Sequence, residues 1–332
     1  MAKRYDTPWI LRTLLFTPGH NEKLIQKALQ SNADCVVLDL EDAVPENSKQ
    51  KAREVIRKIL TNINNKNQTI MVRINPLESG LTLLDLDEVA CHNLDGIIFP
   101  KAYCADDLKA FDAQLSLKEK TLGLKAGHFD IIILMETPRS ILNAYEMAAA
   151  SPRVIGLLYG CEDFLTDMEG SHGPGGRSLS VPRHLIAMAA RAAGVIPIDT
   201  PYVKIKDEKG FEDHIIQGKE LGFEGILVMT PRQIDIANRL YTPSNEDVKQ
   251  ARHIITLASE ASEESKGIAV SGNVFISPPT LKRAQKILNR MNAINDFEVF
   301  HNRIRMVDKP AGRLQFVKKT VQEETEKIME KA

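Results

Sequence analysis

Tryptophan occurs once in 332 residues, and tryptophan, tyrosine and phenylalanine together make up only 5% of the chain. So few aromatics argue against a surface that stacks nucleic-acid bases. An excess of one charge is missing too. The 43 basic residues nearly match the 44 acidic ones, for a formal net charge of −1, so no global field points to nucleic acid or a membrane surface. Cysteine is scarce: Cys35, Cys91, Cys104 and Cys161 are scattered, with no C-x-x-C pair. They are expected to be free thiols in a reducing compartment, not a disulfide frame or a zinc site. No apolar run reaches transmembrane length. The N-terminal MAKRYDTPWILRTLLF lacks the long apolar region and small-residue cleavage site of a secretory signal. A cytoplasmic-type protein is expected, with no nucleic-acid or membrane partner.

What is present is a repeated pattern. Cys35 to Val44, CVVLDLEDAV, opens as an apolar, β-favouring run and ends in three acids, Asp39, Glu41 and Asp42. A continuous apolar run of this kind reads as a strand buried on both faces, as in a parallel sheet. Similar runs recur as RTLLF (12–16), IMVRIN (70–75), GIIFP (96–100), DIIILM (130–135), VIGLLY (154–159), VIPID (195–199) and GILVMT (225–230). Most are separated by helical patterns, and no early run is followed by the G-x-G-x-x-G of a doubly wound dinucleotide fold. Eight strand–helix units in roughly 230 residues predict an α/β fold, a TIM (β/α)8 barrel. The barrel should occupy residues 1–240. A helical extension over 241–332 follows, with helices predicted at 246–264 and 281–295, a loop at 265–279 and a charged tail. This extension is expected to pack on a neighbouring subunit.

Active sites of such barrels lie at the C-terminal ends of the strands. Here those ends carry Asp39 with Glu41 and Asp42, then Arg73, Lys101, Glu136, Asp163, Asp199 and Thr230. Three crowded carboxylates call for something positive nearby. An acid-rich, oxygen-only rim suits Mg²⁺ or Mn²⁺. Glu136 and Asp163 are the first-choice ligands. Asp39, Glu41 and Asp42 would hold metal-bound water, and Arg73 would fork onto a carboxylate or carbonyl of the substrate. Plainer readings stand beside these. Glu41 and Asp42 suit a helix N-terminus, and Asp85 and Asp106 suit helix N-caps. Arg73 could simply neutralise the acids, Lys101 could be a surface residue, and Lys23 and Lys27 could be solvated charges one helical turn apart.

The ordered set RTLLFTPGH, VVLDLEDAV, VRINP, METPRSILNA, GCEDF and TPRQI resembles the citrate lyase beta subunit and its malyl-CoA and citramalyl-CoA lyase relatives in the HpcH/HpaI aldolase superfamily. The resemblance runs from about Arg12 to Leu288. It implies a TIM barrel that cleaves or forms a C–C bond in a 3-hydroxyacyl thioester. The products would be an acyl thioester and an oxo acid. It places Mg²⁺ on Glu136 and Asp163 and the substrate arginine on Arg73. It puts Lys23, Lys27 and Lys49 at the CoA moiety, and the backbone at Leu227 and Val228 at a further substrate contact. It also implies a CoA or acyl-carrier thioester substrate, a homotrimer or hexamer, and possible lyase-complex subunits. In the family's CoA lyases a neighbouring subunit supplies an aspartate before a Pro and a helix; here that position is Ser277. A serine holds no charge near neutral pH, which weighs against one alternative, a malyl/citramalyl-CoA thioesterase, and keeps open the other, a non-catalytic thioester-binding paralogue.

Overall fold

The computed structural model describes residues 3–4, 7–63, 68–263, 269–271 and 274–307. Eight parallel strands close into a barrel: β1 (Thr13–Pro18), β2 (Cys35–Asp39), β3 (Thr69–Arg73), β4 (Gly96–Phe99), β5 (Asp130–Met135), β6 (Val154–Tyr159), β7 (Ile196–Asp199) and β8 (Gly225–Val228). β8 pairs with β1 to complete the ring. The strands alternate between two apolar layers, which is why their sequences read as unbroken apolar runs. Leu14, Cys35, Val37, Met71, Ile98, Ile132, Leu134, Leu158, Ile196 and Ile198 fill the barrel, with Trp9 among them. Val36, Leu38, Ile97, Phe99, Ile131, Ile133 and Leu157 face the surrounding helices.

Those helices are α1 (Glu22–Leu29), α2 (Lys49–Asn62), α3 (Thr82–Val89), α4 (Ala105–Thr121), α5 (Pro138–Leu142), α6 (Ala144–Ala149), α7 (Cys161–Asp167), α8 (Arg177–Ala193), α9 (Glu208–Leu221) and α10 (Pro231–Tyr241). Two of them depart from the sequence reading. α7 is an extra turn of helix between β6 and the glycine-rich loop, so Asp163 sits on a helix and not on a strand end. α10 begins at Pro231, whose missing N–H and fixed φ suit a first helical position, with Gln233 reaching back to the N–H groups of Met229 and Thr230.

Beyond the barrel run α11 (Asn245–Glu263), a short antiparallel hairpin (Ala269–Ser271 with Val274–Ile276) and α12 (Pro278–Val307). The expected loop over 265–279 thus contains a hairpin in its described part, and the charged tail lies outside the described residues. Ser277 accepts from the Thr280 N–H at 3.4 Å and meets the Thr280 hydroxyl at 3.0 Å. It therefore caps α12. α12 packs across the N-terminal end of the barrel. Ile294, Ala293 and Phe297 meet Ile10, Arg290 pairs with Glu224 at 2.7 Å, and Glu298 pairs with Arg12 at 2.9 Å. No helix among the described residues is long and apolar enough to cross a membrane.

Candidate active site

The opposite, C-terminal mouth of the barrel gathers the expected side chains. Asp39 ends β2 one strand away from Arg73 at the end of β3, and the two are in register. Arg73 forks onto Asp39, Nε to Oδ1 at 2.7 Å and Nη2 to Oδ2 at 2.6 Å. The remaining lone pairs of Asp39 accept the N–H groups of Glu41 and Ala43. Asp39 is therefore fully committed and locks Arg73 in place. The guanidinium also lies over the Phe16 ring, 5.3 Å from its centroid. Its third nitrogen, Nη1, meets Glu41 Oε2 at 2.8 Å and Asp42 Oδ2 at 3.2 Å. The three acids raise the Arg73 pKa and outweigh the effect of burial.

Lys49 holds the loop that carries Glu41 and Asp42. Its buried ammonium donates to Leu40 O at 2.8 Å, Glu41 O at 2.9 Å and Asn75 Oδ1 at 2.8 Å. Asn75 in turn donates twice to Asp85, which also accepts from Arg53. This corrects two expectations. Lys49 has no donor left for a phosphate of CoA, because all three are spent inside the chain. Asp85 is a buried partner of Arg53 and Asn75, not an N-cap. Asp106 does not cap α4 either; Asp107 accepts from Tyr103 and Cys104 there.

Lys101 is no bystander on the surface. Its backbone adopts φ 48°, a left-handed conformation that costs a non-glycine residue about 1–2 kcal/mol. That geometry turns its N–H onto Glu136 Oε1 at 2.9 Å, while its Nζ reaches Glu41 Oε1 at 3.0 Å. Glu136 is 1% exposed, and its Oε2 has no hydrogen-bond partner. Burial, then Glu41 and Asp163, push its carboxyl up to about 8. Burial also raises Glu41, against the pull of Arg73. Gly160, at the start of α7, leaves room for this group, since a Cβ there would lie 2.9 Å from Glu136 Cβ and 3.3 Å from Oε2. The half-buried Asp163 lies in the first turn of α7.

Among the described residues, five carboxylates thus converge, with Arg73 and Lys101 as the cations that meet them. A buried carboxylate oxygen without a partner, next to more acids, fits a hard divalent cation bound by oxygen. Glu136 and Asp163 are the side chains that would hold Mg²⁺. Lys23 and Lys27 are exposed on α1, the helix that follows the C-terminal end of β1. Leu227 and Val228 lie in β8 beside Leu14 and Leu15, Leu227 against the barrel interior and Val228 toward the helices. Asp199 does not join the rim. It points outward and is buried against Arg183, Nε to Oδ1 at 3.0 Å. Phe16, Gly160 and the backbone of Lys101 are contributors that sequence reasoning did not single out. The Lys101 N–H carries no sequence signal beyond its place after a strand.

The family model described as HpcH/HpaI aldolase/citrate lyase matches residues 12–231. Citrate lyase subunit beta of Haemophilus influenzae is 35% identical, over 84% of this chain and 96% of its own. The (3S)-malyl-CoA thioesterase of Cereibacter sphaeroides is 30% identical, over 86% of this chain and 96% of its own. Among solved structures, CitE of Mycobacterium tuberculosis in complex with magnesium, acetoacetate and coenzyme A superposes with a TM-score of 0.67. It is 28% identical and the match covers 86% of this chain and 99% of that one.

Proposed function

The chain belongs to the HpcH/HpaI aldolase/citrate lyase family, and from that premise we propose that it is a Mg²⁺-dependent carbon–carbon lyase. Its substrate is a 3-hydroxyacyl thioester of CoA or of an acyl carrier, and its products are an acyl thioester and an oxo acid. The observation that carries this reading is the buried, half-partnered carboxylate of Glu136 facing Glu41 and Asp163. The magnesium, acetoacetate and coenzyme A held by the M. tuberculosis relative support it by likeness.

In this reading the substrate hydroxyl loses its proton, the C–C bond beside it breaks, and the electron pair moves onto the thioester as an enolate. The enolate carbon then takes up the proton that Glu41 has accepted, which returns Glu41 to its starting state. Mg²⁺, when bound, lowers the hydroxyl pKa and polarises the carbonyl that forms. Glu136 and Asp163 hold it. Arg73, fixed by Asp39 and stacked on Phe16, meets the carboxylate of the departing oxo acid and steadies negative charge as it develops. Glu41, with its raised pKa, takes the hydroxyl proton. Asp42 and Lys101 keep Glu41 and Arg73 in position. Lys23 and Lys27 meet the phosphates of the CoA or carrier arm, and the backbone at Leu227 and Val228 meets the acyl portion.

A second reading, hydrolysis of the thioester, is favoured by the 30% identity to the malyl-CoA thioesterase. It is weakened by Ser277, which caps α12 and supplies no acid. One assay separates the two. Citryl-CoA, malyl-CoA and citramalyl-CoA are incubated with Mg²⁺ or EDTA, and oxo acid and free thiol are both followed. Oxo acid without free thiol is the expected result. Free thiol without oxo acid would make the protein a thioesterase. Silence toward all three and toward the carrier-bound forms, in folded and metal-loaded protein, would leave the non-catalytic paralogue.

A further inference from the structure

We propose that Cys161, Glu162 and His172 form a second metal site, for a borderline-soft divalent cation of the zinc type, which ties the loop after α7 to the mouth of the barrel. The three residues place one ligand atom each within 4.8 Å of the others. Cys161 Sγ lies 3.4 Å from Glu162 Oε1, and His172 Nε2 lies 2.8 Å from the same oxygen. Donors bound at about 2.0–2.3 Å to one zinc ion lie at most roughly 4.6 Å apart, so small side-chain adjustments would let all three share an ion. Two of the three come from one turn of α7, and the Cys161 N–H is fixed on Thr200 Oγ1 at 3.1 Å. The third returns from a glycine-rich loop ten residues on.

The donor set decides the metal. A thiolate and an imidazole suit zinc-type ions, whereas Mg²⁺ prefers oxygen alone. The site is therefore chemically distinct from Glu136 and Asp163, although Asp163 follows Glu162 directly. Glu162 and His172 are exposed, which gives the ion a route from solvent. On binding, the Cys161 thiol gives its proton to water, and Glu162 exchanges its contacts with sulfur and imidazole for the metal. Three protein ligands leave a fourth position for water. Occupancy fixes the loop over α7 beside Asp163, so a zinc-type ion acts as a regulator of the mouth. The spacing of the three residues matches no zinc motif; only the fold of the loop brings His172 back to α7.

The test uses Co²⁺ as a spectroscopic probe on the full chain, with excess Mg²⁺ present to fill the oxygen site. One equivalent of Co²⁺ is expected to produce a near-ultraviolet thiolate-to-cobalt charge-transfer band, which Zn²⁺ then abolishes by displacement. Cys161→Ser should remove the band. His172→Ala should weaken binding by at least about tenfold, the low end of what the loss of even an outer partner does. No band at saturating Co²⁺, or a band that survives Cys161→Ser, would overturn the proposal. Should Cys161→Ser fail to fold, the exposed His172→Ala decides: undiminished affinity for Co²⁺ would overturn it as well.

Discussion

At the scale of single residues, Glu136 links metal binding to stability. Burial pushes its carboxyl up to about 8 in the folded chain, well above the ordinary glutamate range. A raised carboxyl pKa means that stability is fully present below the unfolded value and is lost as pH rises through the folded one. Each pKa unit corresponds to about 1.4 kcal/mol, so the loss is on the order of a few kcal/mol between roughly pH 4.5 and 8. Glu136→Gln removes this dependence. In EDTA, thermal unfolding of wild type and Glu136→Gln should therefore diverge as pH rises from 5 to 8, with the variant the more stable at pH 8. Saturating Mg²⁺ should restore the wild type. Parallel curves would show that Glu136 is ionised and satisfied without a cation. The lysines divide in a second prediction. Lys49→Met leaves Leu40 O and Asn75 Oδ1 without this donor, while Glu41 O keeps the Val44 N–H, and each buried unpaired group costs about 1–3 kcal/mol. A clear fall in Tm is expected. Lys23→Ala should leave Tm unchanged and raise KM for the CoA thioester several-fold. The reverse pattern would return Lys49 to the substrate.

At the scale of elements, Gly160 joins β6 to α7 with no Cβ against Glu136. Gly160→Ala must move either the glutamate or the helix that bears Asp163. Magnesium affinity measured by calorimetry should drop at least tenfold while the circular dichroism of the fold persists. Unchanged affinity would mean that α7 yields freely. This scale also shows what was legible in the sequence. All eight strands could be read because strands buried on both faces become continuous apolar runs. The same burial hid which way each terminal side chain points, since a doubly buried strand lacks the alternation that marks its faces. Asp39 and Arg73 face inward, and Asp199 faces outward to Arg183, yet nothing local distinguishes them. α7 was missed because CEDFLTD is too short for a helical period to register. The buried place of Lys49 is hidden in the sequence because its three acceptors come from 40, 41 and 75, a juxtaposition made only by the fold.

For the whole molecule, the chemistry and the anchoring of the C-terminal helix lie at opposite ends of the barrel. We propose a division near residue 240, where α10 ends, with 241–332 as an extension suited to pack on a neighbouring subunit in a trimer or hexamer. Within one chain, the Arg290–Glu224 pair ties α12 to the N-terminal face. Both partners are largely buried, and breaking the pair leaves the Glu224 carboxylate to the half-exposed Arg191 and takes a donor from Glu224 O. Arg290→Met should lower Tm by several degrees without changing Mg²⁺ affinity, as measured by denaturation and calorimetry on the same protein. A loss of Mg²⁺ affinity would show that the two ends are coupled.

In the proposed reaction a divalent cation held by Glu136 and Asp163 drives C–C cleavage. Oxo-acid release against Mg²⁺ concentration, in wild type and Glu136→Gln side by side, tests it most directly. Release that rises with Mg²⁺ in wild type and is absent from the folded variant is the predicted result. Wild-type turnover in Glu136→Gln, or turnover undiminished by EDTA, would contradict it.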